Sequence, residues 1–162
     1  VNSMENVALK LIETGKSNPS HIDYFGDTAL IYACKKSLVN VALKLIETGE
    51  SNPSHINRYG DTALIYACVN SLEDIALKFI EKNDPCLSHV DSFGNTALHI
   101  ACKYSLEKVA IELLAKNRTG IRQKNNEKMT AIDYAKKNSL KGVIQMLKLT
   151  KLIYSNYLLF LS

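Results

Sequence analysis

Tryptophan is absent from this chain of 162 residues, and proline (3), glycine (7) and cysteine (4) are scarce. So little Pro and Gly excludes a collagen-like or low-complexity chain, and 46% hydrophobic residues set it apart from disordered compositions. Four cysteines are too few for a small disulfide-stapled scaffold, and no charged segment leading into an apolar one opens the sequence. A reducing compartment, cytoplasmic or nuclear, is the expectation. Long apolar runs are missing as well. The longest without a charge, Leu152 to Leu161, covers ten residues with two polar interruptions, whereas a membrane helix needs roughly 20. A soluble chain with room for one ordinary domain is expected.

Basic charge is sparse in the first part of the chain. Residues 1–90 carry 8 basic and 11 acidic side chains, a balance of −3, while residues 91–162 carry 12 and 5, a balance of +7. Such asymmetry suits either a solvated face or a surface for acidic protein, nucleic acid or anionic lipid. The lysines are scattered and no block of five like charges occurs, which favours the solvated face.

What the sequence does contain is a period. Gly26-Asp27-Thr28-Ala29-Leu30 returns as Gly60-Asp61-Thr62-Ala63-Leu64, as Gly94-Asn95-Thr96-Ala97-Leu98, and degraded as Lys128-Met129-Thr130-Ala131-Ile132, 34 residues apart each time. Ser3 to Gly15 aligns with Ser37 to Gly49, so the sequence starts in mid-repeat. A fixed period of this length implies stacked units, none of which buries its own apolar face alone.

Each period reads as two helices and an extended connection. A threonine suited to N-capping opens a short apolar stretch at Thr28, Thr62, Thr96 and Thr130. A helical stripe follows: Leu38, Val41, Ala42, Leu45 and Ile46, then Leu72, Ile75, Ala76, Phe79 and Ile80, then Leu106, Val109, Ala110, Leu113 and Leu114. Gly15, Gly49, Asn83 and Asn117 stand one period apart where that helix must stop, and Gly and Asn tolerate the left-handed backbone of a helix end. Asn18-Pro19, Asn52-Pro53 and Asp84-Pro85 come next, at places no helix interior would hold.

These residues resemble the ankyrin repeat family, whose signature is T-P-L-H-x-A. The matching segments are Thr28 to Ala33, Thr62 to Ala67, Thr96 to Ala101 and Thr130 to Ala135. Asp23 and Asp91 stand three residues before Gly26 and Gly94, as in the family's D-x-x-G turn. Alanine replaces the signature proline throughout, the histidine survives only at His99, and the period exceeds the usual 33 by one. The resemblance implies an all-α solenoid of stacked helix-turn-helix repeats with projecting turns. Its units would be residues 1–22 (a partial repeat), 23–56, 57–90, 91–124 and a terminal repeat over 125–150, followed by an apolar tail over 151–162.

Motifs that imitate chemistry dissolve against the repeat. Gly15-Lys16-Ser17 lacks the earlier glycine of a phosphate-binding loop, since Lys10 stands there, and its repeat equivalent is Gly49-Glu50-Ser51. Cys86, His89, His99 and Cys102 have the side chains of a zinc site within seventeen residues. Cys102, however, recurs as Cys34 and Cys68, and His89 recurs as His21 and His55. His99 falls on the signature histidine, for which the resemblance implies a structural hydrogen bond. Neighbouring helices lie about 8–10 Å apart, whereas bridged cysteines need Cα atoms within about 7 Å, so Cys34, Cys68 and Cys102 read as small core residues. Asn117-Arg118-Thr119 fits a glycosylation acceptor but is explained as a helix end. Asp27, Asp61, Glu47 and Glu81 recur with the scaffold and do not converge on one site. No catalytic residue, cofactor or metal is expected.

The resemblance implies a concave groove for protein partners, lined by the projecting turns and the exposed ends of the first helices. Carried over repeat by repeat, it would show Tyr24, Phe25, Asp27, Lys35 and Lys36; Arg58, Tyr59, Asp61, Val69 and Asn70; Ser92, Phe93, Asn95, Lys103 and Tyr104; and Met129, Lys136 and Lys137. Phe25, Tyr59 and Phe93 make an aromatic row, open to two readings: anchors for a partner, or packing between turns. The expected function is non-enzymatic protein recognition. The alternatives are a targeting piece of a larger enzyme or adaptor, and binding of nucleic acid or an anionic surface by the basic half. The stripe Val7, Ala8, Leu11 and Ile12 is expected to be covered on its inner side only. The tail from Leu152 either folds back as a C-terminal cap or docks on another molecule's N-terminal end, a route to self-association.

Overall fold

The computed structural model describes residues 3–15, 18, 20–49, 51–82, 85–116 and 119–148. Its helices are α1 (Ser3–Glu13), α2 (Ala29–Lys35), α3 (Val39–Thr48), α4 (Ala63–Val69), α5 (Glu73–Glu81), α6 (Ala97–Lys103), α7 (Glu107–Lys116), α8 (Ala131–Lys137) and α9 (141–148). Short 3-10 turns, Pro85–Ser88 and Thr119–Arg122, join some of them. Among the described residues no strand longer than an isolated bridge occurs, so the all-α expectation holds.

The four threonines open the first helices as their hydroxyls suggest. Thr28, Thr62 and Thr130 accept from the backbone N–H of Ile31, Ile65 and Asp133 at 3.3 Å, and Thr96 accepts from His99 at 3.4 Å. Each supplies a partner for an N–H that has none within the helix.

The reversal into the second helix comes from a serine that recurs with the period but whose type does not announce a left-handed backbone. Ser37, Ser71, Ser105 and Ser139 all adopt φ between 55° and 61°. In the first hairpin the N–H of Leu38 bonds to Ala33 O at 2.9 Å and that of Ser37 to Cys34 O at 3.3 Å. This paired closure ends a helix tightly, and its repetition at Leu72, Leu106 and Leu140 gives every unit the same hairpin. Gly15 (φ 64°) and Gly49 (φ 69°) end the second helices in the left-handed region, and the Ser51 hydroxyl donates to Leu45 O at 2.9 Å. Asn83 and Asn117, the other expected stops, lie outside the described residues, as does the tail from 151.

First helices α2, α4, α6 and α8 stack in one layer and second helices α1, α3, α5 and α7 in another, with each hairpin bridging the two. Leu30, Leu45, Leu64, Ile75, Phe79, Val109 and Leu113 are buried between the layers. Each contributes roughly 1.5–3 kcal/mol of transfer free energy. The alanine opening each first helix records the stacking: Ala63, Ala97 and Ala131 are buried, while Ala29 is exposed. An open cleft of about 710 Å³ lies over that face of α2, lined by Ala29, Tyr32, Ala33 and Lys36 with Ala8 and Val41. In α1, Val7 and Leu11 are exposed and Ile12 is buried, so the first stripe is covered on one side only.

Candidate functional site

Every first helix is preceded by a turn whose shape comes from one Asx side chain. Asp23 Oδ1 accepts from the N–H groups of Phe25 and Asp27 at 2.8 Å. Asn57 Oδ1 does so from Tyr59 (3.0 Å) and Asp61 (2.9 Å), and Asp91 Oδ1 from Phe93 (2.9 Å) and Asn95 (2.7 Å). Asn125 Oδ1 accepts from Met129 at 2.9 Å. Gly26, Gly60 and Gly94 close these turns at φ 76–82°, and Lys128 takes the same place at φ 62°.

Neighbouring turns are bonded to one another. Arg58 N donates to Phe25 O at 3.0 Å and Asn126 N to Phe93 O at 2.9 Å. His55 Nε2 donates to Gly26 O at 2.8 Å and His89 Nε2 to Gly60 O at 2.7 Å, which explains the recurrence of that histidine. Inside the row, Asn57 Nδ2 donates to Asp27 Oδ1 at 2.6 Å and Asn125 Nδ2 to Asn95 Oδ1 at 2.8 Å.

Two of the expected groove residues lie inside this joint. Asp27 and Asn95 are buried, because the next repeat's asparagine reaches back to each of them. Asp27 Oδ2 also holds Lys35 Nζ at 2.9 Å. Both residues serve the joint between turns.

The remaining expected residues separate by exposure. Tyr24, Phe25, Lys36, Arg58, Tyr59, Ser92, Phe93, Lys103, Tyr104, Lys136 and Lys137 are exposed; Lys35, Asp61, Val69, Asn70 and Met129 are half-buried. Asn70 is occupied with the scaffold, its amide donating to Cys34 O (2.9 Å) and Lys35 O (3.3 Å) at the end of α2. Asn138, which sequence reasoning did not single out, does the same for Cys102 and Lys103. Burial holds the Asp61 carboxyl above the usual range, a rise that its bond with Tyr66 opposes.

The aromatic row is partly packed and partly open. Phe25 and Tyr59 stack with centroids 6.1 Å apart and planes at 25°, and Tyr24 meets Phe25 edge-on at 5.5 Å. Phe25 and Tyr59 nevertheless keep about half of their surface, while Tyr24 and Phe93 are 79% and 68% exposed. Tyr32, absent from the expected set, is exposed at the open cleft beside Ala29 and Lys36, whereas its repeat equivalents Tyr66 and Tyr134 are half-buried and buried. Cations lie over the rings: Arg58 over Tyr24 at 5.1 Å, Lys36 over Tyr32 at 5.9 Å and Lys103 over Tyr134 at 5.8 Å. Lys35 stands 5.4–5.6 Å from the centroids of Phe25, Tyr59 and Tyr66.

The residues with metal-ligand chemistry have other partners. His99 is fully buried; its Nδ1 accepts from Thr96 N at 3.2 Å, and its Nε2 donates to Gln123 O at 3.0 Å. The structural hydrogen bond implied for this histidine is therefore present, and burial holds its pKa below the ordinary value. All four cysteines are buried and no disulfide joins any two of them, and burial pushes Cys34, Cys68 and Cys102 up to about 12. Among the described residues no group of three or more His, Cys, Asp or Glu is placed to hold a metal, and no helix is long and apolar enough to cross a membrane. The Asn117 acceptor lies outside the described residues.

Comparison with protein families matches residues 2–89 and 74–155 to a family described as ankyrin repeats in three copies. No curated protein matches the chain.

Proposed function

The chain belongs to the ankyrin repeat family, and from that premise we propose that it recognises a protein partner, without catalysis, through the groove face formed by its turns and first helices. Ankyrin repeats are generally modules of protein–protein interaction and typically non-enzymatic. The observation that carries the proposal for this chain is the placement of its aromatics. Tyr24, Phe25, Tyr59, Phe93 and Tyr104 are all exposed on the turns and the ends of the first helices, and among the described residues no aromatic is exposed on a second helix. Exposed rings gathered on one face, backed by rigid turns, are what a protein interface uses as anchors. Buried cysteines that no disulfide joins suit a reducing compartment, cytoplasmic or nuclear.

Affinity capture from cell lysate, read by mass spectrometry, tests this with wild-type protein beside the triple variant Tyr24→Ser, Tyr59→Ser, Phe93→Ser. Proteins retained by wild type and lost by a variant of unchanged melting temperature are the expected result. Retention of the same set by both would overturn the assignment of the face.

A further inference from the structure

Resting on that reading, we infer that the partner segment is acidic, its carboxylates taken by Arg58 and Lys103 and its apolar side chains by Phe25–Tyr59 and Phe93. The charge on this face is one-sided in a way the sequence totals hide. Asp27 is buried against Lys35, Asp91 is buried with its oxygen on turn amides, and Asp61 is half-buried and bonded to the Tyr66 hydroxyl. Asp23 and Glu127, the exposed acids of the turns, are engaged with turn amides and with the Tyr134 hydroxyl. Among the described residues Arg58 and Lys103 form no ion pair. Solvent, and any partner, meets the cations.

Those cations are also oriented in advance. Each lies over a ring, Tyr24 or Tyr134, which restricts the side chain. Restricting a long side chain before binding reduces the entropy lost when a carboxylate is gripped. Beside them the Phe25–Tyr59 stack and Phe93 offer apolar surface, so the complementary segment carries both acid and apolar groups. A nucleic acid would need open ring faces for its bases. Here Phe25 and Tyr59 face each other and Tyr24 carries a cation, which confines stacking room on this face to Phe93 and Tyr104.

Fluorescence anisotropy with three labelled probes tests the inference: a twelve-residue peptide of Asp and Glu interspersed with Phe and Leu, its counterpart with Lys for every acid, and an oligothymidine of equal length. The acidic peptide is expected to bind at least about tenfold more tightly than the other two and to weaken roughly tenfold between about 50 mM and about 500 mM salt. Arg58→Glu with Lys103→Glu should weaken it by at least about tenfold with an unchanged melting curve. Equal binding of the basic peptide, tighter binding of the oligothymidine, no binding by either peptide, or indifference to the charge reversal would overturn the inference. If lysate capture still depends on Tyr59 and Phe93, only the charge inference falls. If acidic-peptide binding survives Tyr59→Ser and Phe93→Ser, the assignment of the face falls with it.

Discussion

The side-chain amide of Asn57 donates to Asp27 Oδ1 across 2.6 Å, joining two turns that stand thirty positions apart. Its carbonyl oxygen meanwhile accepts from Tyr59 and Asp61, so one residue shapes its own turn and fastens the preceding one. Asn57→Ala should therefore cost about 2–4 kcal/mol in chemical denaturation, because it strips a buried network of both donor and acceptor. Asn57→Asp should keep the turn but bring two carboxylates together, raising the pKa of one of them above its unfolded value. That penalty is complete above the raised pKa and disappears on acidification to about pH 4, so the two proteins should converge in stability as pH falls. Unfolding curves at several pH values decide it; a constant gap would contradict the joint.

Two glycines with the same backbone should answer differently to alanine. Gly49, at φ 69°, has nothing within 4 Å of the position a Cβ would take, so Gly49→Ala meets only left-handed strain of about 1 kcal/mol. Gly94, at φ 78°, would place Cβ 2.8 Å from Asn126 Oδ1 and 3.0 Å from Asn125 Cα, so Gly94→Ala should cost about 2–4 kcal/mol. Lys128 holds the same turn place without being glycine, and Lys128→Gly should gain about 0.5–1 kcal/mol. Thermal melts of the three variants give the ranking, and equal losses at Gly49 and Gly94 would contradict the close turn-to-turn contact.

His99 makes stability depend on pH. Its neutral Nδ1 accepts from Thr96 N, a bond that protonation removes, and burial lowers its pKa from the ordinary 6.5. The unfolded state then takes up the proton first. The contribution is fully present above about pH 6.5 and is lost as pH falls from there through the lower folded value. His99→Ile, which copies Ile31 and Ile65 of the earlier repeats, should flatten the stability profile in that window. An identical slope in the two proteins would show that His99 does not titrate with folding.

Helix stacking has its own check at the repeated alanine. Ala63 is fully buried, so Ala63→Leu should overpack the joint by about 1–3 kcal/mol. Ala29, at the open cleft, should accept leucine within about 0.5 kcal/mol. Chemical denaturation of both variants measures the difference, and a large loss at Ala29 would mean that its face is packed in solution.

The sequence disclosed what is local and lost what crosses repeats. Threonine caps, the stripes of α3, α5 and α7, and the glycine stops at Gly15 and Gly49 follow from short-range geometry, and the period of 34 placed them in register. Asp27 and Asn95 looked like groove residues because nothing near them in sequence reveals the asparagine that buries each. Asp and Asn alternate at the turn positions, Asp23, Asn57, Asp91 and Asn125, so identity alone hid the shared role of their oxygens. The left-handed serines carried a signal in their strict recurrence, but serine is not a residue whose preference announces that conformation. Cation–ring pairs join neighbouring repeats at regular separations, Arg58 and Tyr24 34 residues apart and Lys35–Tyr66 and Lys103–Tyr134 31 apart, but the period alone does not say which aligned residues meet.

The most direct measurement of the central claim is made at Phe93, the ring with 68% of its surface in water. Phe93→Ser removes apolar surface that the folded chain leaves largely unburied. With a captured partner, titration calorimetry should show affinity falling at least about tenfold, equivalent to about 1.4 kcal/mol, while the melting temperature stays within about 1–2 °C of wild type. Unchanged affinity, or a loss of stability as large as the loss of binding, would contradict recognition through this face.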